Sequence, residues 1–424
     1  MNKVLILTYY WPPSGGAGVQ RWLKFSRYLP STGWLPVILT VRPEDAAYPF
    51  TDESLGKEVP PEVEVIRTRA VNYFSFYSKD PSKIPSGGFA NNPGKGLKNK
   101  ISRFIRGNFF IPDPRRGWNR YAVNEAAEII RRENIKYVIT TSPPHSTQLI
   151  GLRLKKLFPG ITWIADLRDT WTDIYYYDLF YPTFFSKAID SHYERNVLRN
   201  ADQIITVGNN LAKTYMSKTA GIASKMHVIP NGYDEEDFEG IIPVMPVRFT
   251  ITYVGTLSEV YPLDGLLSAL ALLEKDGVDF LFRFAGTISS EIKAKINSYL
   301  SSTKTEIISY VSHPEAIKLM AESSLLLLII PDTRKNDAIT PGKVFEYIAA
   351  GKPVLYIGPH DGDAAYHLKL CGYTGIFSGN NIGDMTEFLK NNAGGTISFV
   401  SRPHPEYSRK ELTNALSTLL NNKN

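Results

Sequence analysis

The chain has 424 residues, 43% of them hydrophobic and 21% charged, with a formal net charge of +6. That length holds two domains with separate cores, and the composition excludes a disordered or collagen-like chain. A lone thiol, Cys371, excludes an intramolecular disulfide and reads as a small buried hydrophobe in a reducing compartment.

The start, MNKVLILTYYWPP, reads as a first buried strand, Lys3–Tyr9. Its apolar run is too short for a signal peptide, ends in Trp-Pro-Pro and lacks a small-residue cleavage site. No run reaches the roughly 18 apolar residues of a membrane span, so a cytoplasmic protein is expected. Thr8–Leu29 turns from strand into helix through Gly15, Gly16 and Gly18. Arg21 stands where a dinucleotide fingerprint would have its third glycine, which leaves that motif incomplete. Gly16 suits close approach of the backbone to a ligand, and a plain strand-to-helix turn explains the same glycines. Trp34–Val41 and Val63–Thr68 are the next strands.

Residues 70–120 break this rhythm. From Lys83 to Arg120 there are nine basic residues against one acid, Asp113. Gly94–Phe110 places Leu97, Ile101, Phe104 and Ile105 on one helical face, with Lys98, Lys100, Arg103 and Arg106 around the remainder. A basic amphipathic helix suits an anionic membrane surface; the alternative is an insertion whose apolar stripe packs on its own domain. Phe109, Phe110, Ile111 and Trp118 exceed what one short helix needs for docking and favour the membrane. No recognition motif accompanies the charge, so nucleic acid is not an expected partner.

Lys136–Thr141 is strand and leads into the loop Ser142–Thr147; Ile161–Ala165 is the next strand, followed directly by DLRDTW, Asp166–Trp171. Ligands in open α/β sheets sit outside the carboxyl ends of strands. His145 and the Asp166, Arg168 and Asp169 group should therefore face one crevice. Asp169 suits orienting or deprotonating a hydroxyl, and Arg168 suits a phosphate. An Asp–Arg pair that holds its own loop, and a structural His145, are the plain alternatives. The aromatic run Tyr175–Phe185 reads as an acceptor groove or as core. A helix to Arg199, strand Gln203–Val207, helix Asn209–Thr219 and strand Met226–Pro230 follow, with Gly240–Pro246 as linker.

Alternation then starts again with strand Arg248–Val254 and the turn GTLSEVYPLDG, strands Phe280–Ala285 and Glu306–Ser309, and the apolar Ser323–Ile330. Asp337–Gly358 carries the densest signal. Thr340 is placed to cap a helix, with Pro341 at its first position and Gly351 at its left-handed end. The N–H groups of Gly342, Lys343 and Val344 then point out of a helix N-terminus, an anion site to which Lys343 adds a full charge. Glu346 lies three residues on and on the same face, where a carboxylate can accept two hydrogen bonds from a ribose diol. The arrangement describes a nucleotide-diphosphate pocket, or else an ordinary capped helix with a surface Lys–Glu pair. Ser408 and Glu411 form a capping box for a terminal helix.

The run PGKVFEYIAAGKPVL resembles the nucleotide-sugar signature of the family 4 retaining glycosyltransferases, and SPPH, DLRDTW and IPNGYD resemble segments of the same group. The chain departs from the usual pattern at three places. Ala338 occupies the position of a first Glu, Thr256 that of an Arg beside Gly255, and Tyr261 lies near that of a Lys. Diphosphate binding thus falls to Lys343, its helix terminus and one of Arg334, Lys335 or Arg21. The resemblance implies two facing Rossmann-like doubly wound α/β domains, the GT-B architecture, with a deep interdomain cleft. Residues 1–238 would form the acceptor side and 239–405 the nucleotide-sugar domain, with 406–424 packing back across the junction. It implies donor contacts at Gly16, Gly255, Thr256, Tyr310, Val311, Thr340, Pro341, Gly342, Lys343, Val344 and Glu346, and catalytic roles for Asp169, Arg168 and His145. The implied reaction is retaining transfer of a hexose from a UDP-sugar to a glycan, lipid-linked and used in surface polysaccharide assembly, with no metal or other cofactor. An epimerase-like enzyme and a non-catalytic nucleotide-binding module share the architecture; intact Lys343 and Glu346 speak against the latter. A phosphorylase would need a pyridoxal-binding lysine, for which the sequence gives no support.

Overall fold

The structure, a computed structural model, describes residues 1–49, 51–76, 96–241, 246–309, 311–395 and 404–421. It divides into two compact units, one running to Asn231 and taking in the C-terminal stretch from Arg409, the other running Gly232–Ser408.

The first unit is built on seven strands: β1 (Asn2–Leu7), β2 (Trp34–Val41), β3 (Glu64–Thr68), β4 (Tyr137–Ser142), β5 (Thr162–Leu167), β6 (Gln203–Thr206) and β7 (Met226–Val228). Their order is β3-β2-β1-β4-β5-β6-β7, and every neighbouring pair is parallel. Helices α1 (Ala17–Tyr28), α2 (Leu97–Phe109), α3 (Asn119–Glu133), α4 (Ser146–Leu157), α5 (Phe184–Asn200) and α6 (Asn209–Lys218) connect them. Because successive strand residues face opposite sides, β1 serves two cores. Val4 and Ile6 pack with Trp22, Leu23 and Trp34, while Leu5 and Leu7 pack with Trp118, Ile129 and Ile150.

The second unit repeats the plan with β8 (Phe249–Leu257), β9 (Phe280–Ile288), β10 (Thr305–Ile308), β11 (Leu325–Ile329), β12 (Val354–Ile357) and β13 (Ile376–Phe377), in the order β10-β9-β8-β11-β12-β13. Its helices are α7 (Asp264–Lys275), α8 (Ser290–Tyr299), α9 (His313–Ala321), α10 (Lys343–Ala350), α11 (Asp363–Leu370) and α12 (Ile382–Ala393). On β11, Leu325, Leu327 and Ile329 enter one core and Leu326 and Leu328 the other. The last helix, α13 (Arg409–Asn421), belongs to the first unit, where Leu412, Leu416, Leu419 and Leu420 join the Trp22 cluster. Two Rossmann-like doubly wound domains are what the alternation of elements predicted. Strand order reverses direction at β1/β4 and at β8/β11, and those two switch points are where each sheet leaves room for a ligand.

Several local expectations fail. β5 continues through Leu167, so Asp166 sits inside a strand with 0% exposure rather than in a crevice. β8 does not stop at Val254: Gly255 pairs with Gly286 and Thr256 with Thr287, so both belong to the strand and not to a turn. In the 70–120 segment, Ile111 and Trp118 are buried, and the Trp118 indole donates to Thr68 Oγ1 at 2.8 Å. Part of the aromatic surplus is therefore core, used to fasten the segment to β3.

Candidate functional site

In the second domain the site is assembled at the β8/β11 switch point. The cap expected from Thr340 is absent: Gly342 occupies the cap with helical angles, φ −55° and ψ −34°, and no side chain caps the helix. Thr340 Oγ1 is buried without a hydrogen-bond partner. The reason is a tight turn already wound by Pro341 and Gly342. Val344 donates to the Pro341 carbonyl and Phe345 to that of Gly342, each at 3.1 Å. This uses the Val344 N–H and leaves those of Gly342 and Lys343 without a backbone partner among the described residues. The left-handed end at Gly351 is as expected, φ 62°.

Lys343 reaches from α10 across the end of β8. Its ammonium donates to the Val254 carbonyl at 2.8 Å and lies 4.0 Å from the centroid of the Tyr253 ring. Desolvation lowers its pKa to about 8, against the opposing attraction of Glu346. Two glycines keep the place open. Gly255 has φ 134°, and a Cβ there would stand 2.7 Å from Lys343 Nζ; Gly286 has φ 138°, and a Cβ there would collide with the Gly255 carbonyl. Glu346 is half-buried and makes no hydrogen bond among the described residues. Thr256 is exposed, with its carbonyl accepting from the Tyr253 hydroxyl at 2.9 Å. Val311 is half-buried, Arg334 and Lys335 are exposed, and Tyr310 lies outside the described residues. A desolvated cation, free helix N–H groups and an unengaged carboxylate suit a ligand carrying both a diphosphate and a diol.

In the first domain Arg168 spans the β1/β4 switch point. Its Nε donates to the Ser142 carbonyl at 3.0 Å and its Nη1 to that of Gly18 at 3.2 Å. It thereby ties together the segments that follow β1, β4 and β5. Gly16, at the start of α1, has φ 88°, so its glycine serves the backbone turn. Arg21 is not free for a diphosphate. It is 2% exposed and donates to the carbonyls of Pro230 (2.7 Å) and Ile229 (3.0 Å) and to Asp166 (3.2 Å). Asp166 also accepts from the Trp22 indole (2.8 Å) and Thr141 (2.7 Å), which makes it a structural hub.

The two remaining candidates differ: Asp169 is exposed, whereas both ring nitrogens of His145 are shut off from solvent. The His145 ring stacks on Trp171 with centroids 4.9 Å apart, and neither ring nitrogen has a partner in the hydrogen-bond geometry. Burial lowers its pKa to about 4, keeping it neutral near pH 7. The Asp169 side chain is exposed and has no hydrogen-bond partner among the described residues. Desolvation by the surrounding protein raises its pKa, and Arg168 opposes that shift.

A network that no motif announced holds the loop beneath. The Trp171 indole donates to Asp190 (2.7 Å), Thr172 to Glu194 (2.7 Å), and Lys218 to Glu194 (2.7 Å) and Asp173 (2.6 Å). The Tyr215 hydroxyl donates to the Asp169 carbonyl at 2.6 Å. The run Tyr175–Phe180 is half-buried or exposed rather than core, and Phe184 and Phe185 open α5 with exposed rings. Among the described residues no His, Cys, Asp and Glu group is arranged to hold a metal, and no helix is long and apolar enough to cross a membrane.

Residues 88–237 match the family model described as Glycosyltransferase Family 4, and residues 237–364 match the one described as Glycosyl transferases group 1. No curated protein matches the chain. Among solved structures, sucrose-phosphate synthase from Thermosynechococcus elongatus is similar at 12% identity and a TM-score of 0.57, over 99% of this chain and 98% of that one. Anabaena HepE in complex with UDP-glucose is similar at 12% identity and a TM-score of 0.56, over 98% and 94%. The apo form of the lipopolysaccharide outer core galactosyltransferase WaaB is similar at 13% identity and a TM-score of 0.58, over 99% of each chain. At such identities the likeness is one of fold.

Proposed function

We propose that this chain, a glycosyltransferase of the GT-B type, moves a hexose from a UDP-sugar to a glycan acceptor with retention of anomeric configuration. The observation that carries the reading is Lys343, whose desolvated ammonium lies over the bare glycine ends of β8 and β9 beside two free helix N–H groups. As the bond from the anomeric carbon to the diphosphate oxygen breaks, negative charge gathers on the diphosphate. A preorganised cation and helix terminus stabilise that charge without a metal. Glu346, one turn further along α10, accepts from the ribose diol. In the first domain Asp169 receives or orients the acceptor hydroxyl, neutral His145 steadies the loop through its stack on Trp171, and Arg168 holds the segments that carry them. UDP-glucose in the HepE complex supports the choice of donor class. The acceptor is a lipid-linked saccharide of surface polysaccharide assembly, a reading supported by the exposed apolar residues and the exposed Lys100 of α2.

Calorimetry tests the donor assignment. Lys343→Ala should weaken UDP binding by about 1.5–3 kcal/mol, the range for a charge-assisted hydrogen bond, and leave uridine binding nearly unchanged. Equal losses for both ligands would contradict it.

A further inference from the structure

Membrane attachment read from the sequence rested on α2, with Arg106 among its charges, and on the aromatic and apolar residues Phe109, Phe110, Ile111 and Trp118. Arg106 is in fact turned inward. Its guanidinium donates to the carbonyls of Phe110 (2.9 Å) and Pro112 (3.2 Å) and stacks 4.8 Å from the centroid of the Phe180 ring. Gly107 makes the same contact possible, since a Cβ there would run into Phe180. That face of α2 is spent on its own domain.

The opposite row is not. Leu97, Ile101 and Phe104 lie three or four positions apart on one side of α2 and are 74%, 51% and 43% exposed. The row continues into Asn108, whose amide donates to the Tyr181 carbonyl (3.0 Å) and accepts from Thr183 N–H (2.8 Å) and the Ser186 hydroxyl (2.7 Å). Asn108 thus fixes the apolar row of α2 against the first turn of α5. That turn presents Phe184 and Phe185, 81% and 77% exposed, in an edge-to-face pair. Single exposed apolar residues are ordinary; five large ones brought together from two elements are not. The charge beside them has one sign. α2 carries no acid, Lys100 is exposed, Arg103 has no partner among the described residues, and Asp178 on the α5 side is neutralised by Lys187 at 2.8 Å. The side chain of Lys98 lies outside the described residues.

We propose that Leu97, Ile101 and Phe104 of α2 together with Phe184 and Phe185 of α5 form one membrane-docking surface that inserts at the headgroup–acyl boundary of an anionic bilayer. Lys100 and Arg103 meet the lipid phosphates while the aromatic pair enters below them. Arg106 and Asn108 give the surface its shape by locking the two elements together. The inference extends the lipid-linked acceptor reading and is independent of the donor chemistry at Lys343.

Co-sedimentation of the full chain with vesicles of equal phosphatidylglycerol and phosphatidylcholine tests it, alongside pure phosphatidylcholine vesicles. The wild type should pellet with the anionic vesicles in low salt, and Phe184→Ser/Phe185→Ser should weaken that partition roughly a hundredfold. The tryptophan transition in urea, whose six indoles all lie in the first domain, should be unchanged, which shows the variant folded, and unchanged UDP binding on the same preparation separates this surface from the donor site. In a second variant, Phe184→Trp, indole emission should shift to the blue when anionic vesicles are added. Unchanged pelleting of the double variant, or no shift at Trp, overturns the proposal. So does a wild-type dimer that the double variant converts to monomer, because the patch would then pair two copies of the chain.

Discussion

At Lys343 one proton decides how well an anion is held. The ammonium is desolvated, with a single carbonyl acceptor and an aromatic face for company, and its pKa falls to about 8. A bound diphosphate favours the charged form and pushes that pKa back up. Proton uptake is therefore coupled to UDP binding above pH 8, and UDP affinity should fall as pH rises through that value. Lys343→Arg, which keeps its charge throughout, should flatten the profile. A UDP affinity in the wild type that is constant between pH 7 and 9.5 would exclude Lys343 as a diphosphate ligand. Glu346 makes a separate claim. In its proposed role as ribose acceptor it should discriminate UDP from 2′-deoxy-UDP, because the deoxy ligand would leave a carboxylate oxygen unpaired. Glu346→Ala should erase that preference, and competition binding with the two nucleotides measures it. Equal binding of both by the wild type would remove Glu346 from the site.

Elements were legible where their signals were local. Apolar runs mark the strands, and the Pro-Gly-Lys approach with Gly351 at the far end marks α10, because caps and turns act within a few residues. Their limits were harder to read. Gly255 looks like a turn until the register shows Gly286 beside it, and only the paired glycines let β8 and β9 run on together. The amphipathic character of α2 was equally plain. Which of its arginines turns inward depends on Phe180, which the sequence does not place beside Arg106. Arg21 and Asp166 meet across 145 positions, and nothing near either residue announces the pair. α13 makes an element-scale prediction. Leu416 is 0% exposed in the Trp22 cluster, so Leu416→Ala should cost about 2–5 kcal/mol. The loss should fall on the first domain and be visible as an earlier tryptophan transition in urea, with UDP binding by the second domain retained below that transition. Simultaneous loss of both would show that α13 supports more than its own sheet.

Across the whole molecule the two sheets repeat one topology, each with a switch point, but the chemistry is divided unequally between them. The second domain places an unengaged carboxylate and a lightly held cation at its switch point. The first spends many of its charged groups on holding loops; Asp169 is exposed without a hydrogen-bond partner among the described residues, while the His145 ring nitrogens are buried. Under the proposed function that division would give a group transfer electrostatic control of the leaving diphosphate in the second domain and an exposed carboxylate for the incoming hydroxyl in the first. The most direct measurement follows the protein by NMR with a panel of nucleotide sugars and no acceptor, so that water takes the sugar slowly. At least one UDP-sugar should be hydrolysed, with UDP released and the sugar first appearing in the anomeric configuration it had in the donor; Lys343→Ala should abolish the release. Failure of every nucleotide sugar to turn over, or first appearance of the inverted anomer, would contradict a retaining transferase that uses a UDP-linked donor.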